Sequence, residues 1–288
     1  MKIIILIPVY NDWKSVSKLL EDINLNISSL DLNFSIIIVN DASTEKPSIN
    51  NSNLENIKSI KIINMKENIG HARCIATGLK HIFEKEEFDY IIPMDGDGED
   101  RPEEIKNFVE HINYSPNITI VGERIKRSEG LFFKICYNFH KILTLTFTGK
   151  NIKFGNYTCL TKSTVEKMIN DKASWSSFSG SLEKVDNDKS STPSIRGERY
   201  FGPSKMSFKN LVLHSLSIIS VFKISVLSRS ILFLAIYMFL IYEKISIIML
   251  IPVALIIALI VSVFLISKRE NLKEINNSFS KILNIDNI

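Results

Sequence analysis

Cysteine is scarce in this 288-residue chain: Cys74, Cys136 and Cys159 make an odd number with no CxxC or Cys/His spacing. That excludes a disulfide framework and a cysteine zinc site, and suits a reducing, cytosolic setting for the soluble part. There is no concentrated basic face either. The formal net charge of +4 comes from scattered Lys and Arg without a long stripe interleaved with aromatics, so nucleic acid is not an expected partner. No amino-terminal targeting segment is expected either. The apolar stretch in MKIIILIPVYNDW runs only from Ile3 to Val9, is interrupted by Pro8 and is followed by polar residues without a cleavage site, so it reads as a buried first strand. No internal repeat or low-complexity tract stands out.

What the chain does have is length for one sizeable domain with an appendage. Up to residue 205, short β-rich runs alternate with longer helical patterns. Strands are expected at 3–9, 34–39, 59–64, 90–94 and 118–122, and helices at 14–27, 71–83, 102–112 and 131–147. That alternation predicts an α/β domain with a mainly parallel sheet. Ligands of such sheets bind beyond the carboxyl ends of the strands. The residues there are Pro8-Val9-Tyr10-Asn11, Asn40-Asp41-Ala42-Ser43 and Asp95-Gly96-Asp97.

From residue 224 the composition changes. Residues 231–242 carry no charge, and 245–267 form a 23-residue uncharged run, longer than the roughly 20 residues that span a bilayer core. The pair reads as a transmembrane hairpin (224–267) turning at Glu243-Lys244. Lys223 and Arg229 precede it and Lys268, Arg269 and Lys273 follow, against one lysine in the turn. The positive-inside rule then puts the amino-terminal domain (1–205) and the tail (268–288) in the cytoplasm. Between domain and hairpin, 206–223 sets Phe208, Leu211, Val212, Leu216, Ile219 and Phe222 at helical spacing, an amphipathic helix expected in the membrane interface. Packing of that face on the domain is the alternative. The polar segment 171–195, with a lone Trp175, is expected to be a mobile loop.

The densest chemistry lies in IIPMDGDGED (residues 91–100), where Asp95, Asp97, Glu99 and Asp100 crowd the end of an apolar run. Like carboxylates repel and raise one another's pKa unless a cation or solvent separates them. Strand alternation directs Asp95 and Asp97 to one side, and Gly96 and Gly98 permit tight backbone geometry. Such a pair is a hard oxygen site suited to Mg²⁺ or Mn²⁺ bridging phosphates, with Glu99 as a further ligand and Asp100 capping the helix that Pro102 opens. Asp41 with Ser43 suits a nucleobase or ribose, and Tyr10 offers an aromatic face. Gly70 opens a helix whose first turn carries Arg73, an anion partner.

Seven motifs in order carry a resemblance: IPVYND, IIIVNDAST, ENIGHARCIATGL, MDGDGEDRPEEI, VGERIKRSEG, FGNYTCLTKSTVEKM and RGERYFGPSKM. Followed by a membrane hairpin, they are similar to the inverting family-2 glycosyltransferases, within them the polyprenyl-phosphate sugar transferases like dolichyl-phosphate mannosyltransferase. The resemblance implies a GT-A type nucleotide-diphospho-sugar transferase fold and a UDP- or GDP-linked sugar donor. It also implies transfer of one hexose to a polyprenyl phosphate at the membrane during surface-polysaccharide biogenesis; homo-oligomers are common in the family. By position, Pro8, Tyr10, Asn11, Asp41, Ser43, Arg73, Gly96, Arg124 and Arg127 would hold the donor. Asp95, Asp97 and Glu99 would hold the metal. Arg196, Arg199, Ser204 and Lys205 would serve the acceptor phosphate, with Arg199 and Lys205 joining Asp95 and Asp97 in catalysis.

Three departures stand out. The commoner DADLQDPPE is here DGDGEDRPE, the usual DDGS is NDAS with Asn40, and the segment before the arginine motif is short and polar. A hydroxyl acceptor would require a general base, and no ED followed by a QxxRW-like motif is present, whereas a lipid phosphate is already an anion. Asp171, Glu183 and Asp186 remain alternative bases for transfer to a glycan or lipid hydroxyl. A non-catalytic nucleotide-binding membrane subunit is the reading from another class, and the intact Asp95/Asp97 pair argues against it.

Overall fold

The computed structural model describes residues 1–49, 54–126, 131–203 and 207–288. Strand β1 (Lys2–Val9) is buried along nearly its whole length, as a β-branched run sandwiched between helices should be. It pairs in parallel with β2 (Asn33–Asn40) and with β4 (Tyr90–Pro93), and β2 pairs in parallel with β3 (Ile57–Met65). Alternation splits the run between two cores. Ile3, Ile5 and Ile7 pack with α1 (Trp13–Ile27) and α3 (Ile105–Tyr114), while Ile4 and Leu6 pack with α2 (His71–Lys85) on the other face. The two faces of one strand thus hold both helical layers.

Beyond β4 the sheet continues through β6 (Thr158–Thr161), antiparallel to both β4 and β5 (Ile120–Lys126), and ends at β7 (Ser190–Ile195), parallel to β5. The eight-stranded order is β7-β5-β6-β4-β1-β2-β3-β8. Because β7 runs with β5, and β5 with β4, the carboxyl ends of β1, β2, β4, β5 and β7 share one edge.

The segment expected to be a mobile loop is folded. It forms a 3-10 turn (Lys172–Trp175), helix α6 (Phe178–Val185) and β7, with α5 (Lys162–Ile169) ahead of it. Trp175, Phe178 and Leu182 are buried in the α2-side core. Its polar residues satisfy one another: Thr164 donates to Asp186 (2.8 Å), and Ser181 (3.0 Å) and Lys184 (2.6 Å) donate to Asp171. Much of the polarity that suggests a loop is taken up by internal bonds of this segment and to α5, with Ser176 Oγ buried without a partner among the described residues.

Helix α4 (Leu131–Thr148) does not cover the sheet. Its Leu143 and Phe147 pack with Ile219 of α7 (Phe208–Ser220), Val226 of α8 (Lys223–Ile241) and Val263 of α9 (Ile251–Ser267). Phe139, Ile142 and Leu145 remain exposed. Arg229 of α8 donates to the Thr146 carbonyl (3.2 Å) near the carboxyl end of α4, where the helix dipole favours a cation. Helix α8 (Lys223–Ile241) and the helical stretch Ile248–Asn276 that contains α9 are each long and apolar enough to cross a membrane, and little of either is buried against protein.

The residues after the hairpin, 268–288, fold back as α10 (Leu272–Asn276) and β8 (Ile282–Asn287), which pairs antiparallel with β3. Lys80 of α2 donates to the Asn276 carbonyl (2.7 Å) at the end of α10. Met65, the last residue of β3, is registered with Ile282, the first of β8, so the chain re-enters at the same edge to which the other strand ends point.

Candidate active site

Strand β1 is followed by Tyr10, with its ring exposed, and by Asn11 in the left-handed region (φ 50°). Ala42, beyond β2, is also left-handed (φ 55°). Non-glycine residues hold such backbones only when neighbours over-determine them. Here Asn11 N–H donates to Ser43 Oγ (2.9 Å), Thr44 N–H donates to Asn11 Oδ1 (2.8 Å) and Ala42 N–H closes a tight turn on the Asn40 carbonyl (2.9 Å). The first two strand-end loops are one tied unit, following the last registered pairs Pro8–Val39 and Val9–Asn40.

Asp41 sits beneath that unit, nearly fully buried. It accepts from Ile69 N–H (2.6 Å) and Gly70 N–H (3.0 Å), and so fixes the turn from which α2 starts. Burial and this carboxylate push the Cys74 thiol well up from its ordinary value. Arg73, one turn into α2, stacks over Trp175 at 5.6 Å and donates to the Ile69 carbonyl (3.2 Å).

The third strand end carries the acidic turn. Gly96 leaves no room for a side chain: a Cβ there would lie 3.0 Å from Val16 and 3.3 Å from the Pro8 carbonyl. Gly98, at φ 89°, lies under the Tyr200 ring. The stretch after β7 is sewn to the turn by Gly197 N–H to the Glu99 carbonyl (2.8 Å) and Tyr200 N–H to the Asp97 carbonyl (3.0 Å). That seats the arginines. Arg199 bridges Asp97 Oδ2 and Asp12 Oδ2, each at 2.6 Å, and Arg196 pairs with Glu99. Asp95 Oδ1 lies 3.0 Å from His71 Nε2 and accepts from Asn156 Nδ2 (3.2 Å).

Asp100 does not cap the following turn, as the sequence suggests. It is buried and accepts the Asp95 N–H (2.9 Å), while Arg101 holds the cap position without a side-chain bond. The acid that reads as a helix start braces the acid that faces the cleft.

Charge is unevenly shared. Burial opposes ionisation of Asp95, but His71, Arg196 and Asn156 outweigh it and hold its pKa below the usual carboxylate range. Burial raises Asp97 to about 6, helped by Asp95 and Glu99 and resisted by the Glu99 N–H and Arg199. Burial and Asp95 raise Asp100 to about 7. Burial disfavours the His71 cation, yet Asp95 reverses this and raises the ring's pKa; half of the side chain is open to solvent, which screens the pair. One carboxylate is kept ionised at its neighbours' expense, the pattern of a functional cluster.

Among the described residues no three His, Cys, Asp or Glu side chains are grouped to hold a metal ion. Glu99, expected as a third ligand, instead faces Arg196. Two carboxylates from one turn still match the donor set of Mg²⁺ or Mn²⁺, which take one or two carboxylates and fill their remaining positions with water and substrate phosphate oxygens. Arg199 Nε, buried without a partner, leaves a donor for an anion. Arg124, expected beyond the fifth strand, lies within β5 opposite Ser194, against Gly155, and acts electrostatically on Asp100.

The structure therefore gathers Tyr10, Asn11, Ser43, Gly96, Asp95, Asp97, Glu99, Arg124, Arg196 and Arg199 at one sheet edge, with Asp41 and Arg73 bracing the adjoining helix. Arg127, Ser204 and Lys205 lie outside the described residues. Asp12, His71 and Asn156 were not anticipated. Asp12 directly follows the first strand-end turn opposite an arginine, and a histidine opening α2 against the helix dipole is a signal that a carboxylate stands near.

Comparison with known proteins agrees with this geometry. The family model described as glycosyl transferase family 2 matches residues 4–177. The chain is 25% identical over 219 residues to the undecaprenyl-phosphate 4-deoxy-4-formamido-L-arabinose transferase of Klebsiella pneumoniae (strain 342). That match covers 73% of this chain and 64% of the relative, so the chain spans just under two thirds of that protein's length. Among solved structures, mannosyl-3-phosphoglycerate synthase from Rubrobacter xylanophilus superimposes with a TM-score of 0.55 at 12% identity, over 77% of this chain and 72% of that one. Glucosyl-3-phosphoglycerate synthase from Mycobacterium tuberculosis, solved with Mn²⁺, UDP-glucose and phosphoglyceric acid, gives 0.53 at 12% identity over 79% of each chain. These two likenesses establish the α/β fold with its mostly parallel sheet. With the family match running from β1 through the acidic turn to the start of α6, the chain belongs to glycosyl transferase family 2.

Proposed function

We propose that this chain is an inverting, membrane-bound glycosyltransferase that moves a single hexose from a UDP- or GDP-linked donor to a polyprenyl phosphate on the cytoplasmic face. The observation that carries this reading is the paired arrangement at the sheet edge: Asp95 and Asp97 on one turn, and Arg196 and Arg199 sewn against them in the segment leading into α7. Donor diphosphate and acceptor phosphate are both anions, and these cations stand between the nucleotide loops and the helices that approach the membrane.

Tyr10, Asn11 and Ser43 form the nucleoside side of the site, on loops held rigid by their mutual bonds. Mg²⁺ or Mn²⁺ held by Asp95 and Asp97 would offset charge on the departing nucleoside diphosphate. Arg199, already spanning Asp97 and Asp12, is placed to exchange a carboxylate for a phosphate oxygen, and its spare Nε adds a donor. Stabilisation of this kind, aimed where charge develops, lowers the barrier to breaking the anomeric C–O bond. The acceptor phosphate oxygen forms the new bond from the opposite face, and no proton has to be removed first. The named relative is an undecaprenyl-phosphate 4-deoxy-4-formamido-L-arabinose transferase, which supports this choice.

The alternative bases lend a hydroxyl acceptor no support. Asp171 and Asp186 are bound inside the folded 171–195 segment, and Glu183 pairs with Lys150 and Lys189. The catalytic domain of 1–205 is proposed to include the returning 268–288 segment, with 206–223 and the exposed face of α4 lying at the bilayer surface beside the hairpin of 224–267. The return of β8 to the sheet supports a topology with both ends of that hairpin on one side. Membranes holding the protein, given radiolabelled nucleotide sugars and undecaprenyl phosphate, should place label in an acid-labile lipid. Label found only in a glycan would overturn the acceptor assignment.

A further inference from the structure

A single hydrogen-bonded chain crosses three strands from the last strand to the nucleotide loops. Asp286 Oδ2 accepts from Asn64 Nδ2 (2.7 Å), and Asn64 Oδ1 accepts from Asn40 Nδ2 (2.8 Å). Asn40 Oδ1 accepts from Ser43 N–H (3.0 Å), and Ser43 Oγ accepts from Asn11 N–H (2.9 Å). Asn11 then takes Thr44 N–H on its own side-chain oxygen (2.8 Å). The direction of this chain is fixed at both ends. A backbone N–H can only donate and a carboxylate can only accept, so the two amides between them have one consistent orientation. Asn40 is nearly fully buried and Asp286 is on the open edge strand. The outer acid therefore sets an amide whose far end holds the turn at Ala42, a left-handed residue that needs such support.

We propose that Asp286 is a positioning residue for the donor nucleoside: it orients the Asn64–Asn40 relay and so fixes the 40–44 loop. An ionised aspartate at position 40 has no donor to offer Asn64 Oδ1, which makes Asn40 the residue this relay requires. The carboxyl-terminal segment that returns from the membrane hairpin is thereby part of the donor site without touching the donor. This rests on the reading that the strand-end loops bind a nucleoside diphosphate.

The test titrates UDP and GDP, with Mn²⁺, into the full-length protein in detergent, and records thermal melting of the same samples. The variants are Asp286→Ala, Asp286→Asn and, as a strand control outside the relay, Leu283→Ala. Asn at 286 keeps an oxygen for Asn64, whereas Ala does not. Loss of one link predicts a roughly three- to tenfold weaker Kd for the preferred nucleotide in Asp286→Ala, wild-type affinity in Asp286→Asn, and wild-type affinity in Leu283→Ala whatever its melting temperature. In turnover, the Asp286→Ala defect appears in the donor KM with kcat retained. An unchanged Kd in Asp286→Ala, or equal losses in Asp286→Ala and Asp286→Asn, overturns the relay while leaving the donor site standing. Failure of the wild type to bind either nucleotide overturns the donor reading and the relay with it.

Discussion

Replacing Asp97 by Asn should stabilise the protein while abolishing transfer. A carboxyl raised from 3.8 to about 6 in the folded state is bound to its proton more tightly there than in the unfolded chain. Keeping it ionised above pH 6 therefore costs about 3 kcal/mol, at about 1.4 kcal/mol per tenfold in proton affinity. The side chain is only 19% exposed, so solvent screening removes little of this. Asn removes the charge but keeps an oxygen for the Glu99 N–H and for Arg199. The sign follows from linkage: a raised carboxylate destabilises above its folded pKa, and the penalty fades as pH falls through 6 toward 3.8. Melting of the full-length protein in detergent with EDTA, at pH 7.5 and 5.5, checks it. The variant should melt higher by several degrees at pH 7.5, at about 2–4 °C per kcal/mol for a domain of this size, and the gap should narrow at pH 5.5. A variant melting at or below wild type at pH 7.5 would refute the claim that unbalanced charge is stored here.

Other outcomes follow from the same geometry. Asp95→Ala removes the carboxylate whose pKa its partners hold below the usual range and should lower kcat/KM by at least about a hundredfold, with folding intact by circular dichroism; retained activity would remove it from the site. Gly98→Ala puts a Cβ 2.5 Å from the Tyr200 ring at φ 89°, and should cost about 1–3 kcal/mol in denaturant unfolding. Trp175→Ala should cost about 3–5 kcal/mol, and trypsin should spare Lys184 and Lys189 in the native protein; rapid cleavage there would contradict a folded 171–195 segment.

The parallel core was legible because its signals are local. An all-apolar strand such as β1 and a helix such as α2 announce themselves by periodicity, and the acids after β4 by their crowding. Arg199 could be assigned to the phosphates by motif, but not its bridge between Asp12 and Asp97, which joins residues 187 apart. The 171–195 segment reads as a loop because Ser, Asp and Lys look solvent-facing in sequence, whereas Thr164, Ser181 and Lys184 bond to its acids across turns that periodicity does not show. Helix α4 has a helical pattern whichever surface it meets; only the hairpin's position reveals that it leaves the sheet. The β8 strand, ILNIDN, carries too little apolar alternation to be noticed, and its partner is more than 200 residues away in sequence.

That distant partnership imposes an order on synthesis. The edge of β3 keeps its backbone donors and acceptors open until β8 arrives, and β8 is translated only after both apolar helices. Under the proposed topology, a hairpin lodged in the bilayer would return the last strand to the waiting edge. A chain whose hairpin strays elsewhere presents a bare β-edge to other proteins. On the proposed reading of 224–267 as the anchor, the β3 edge closes on β8 only after the anchor has been synthesised.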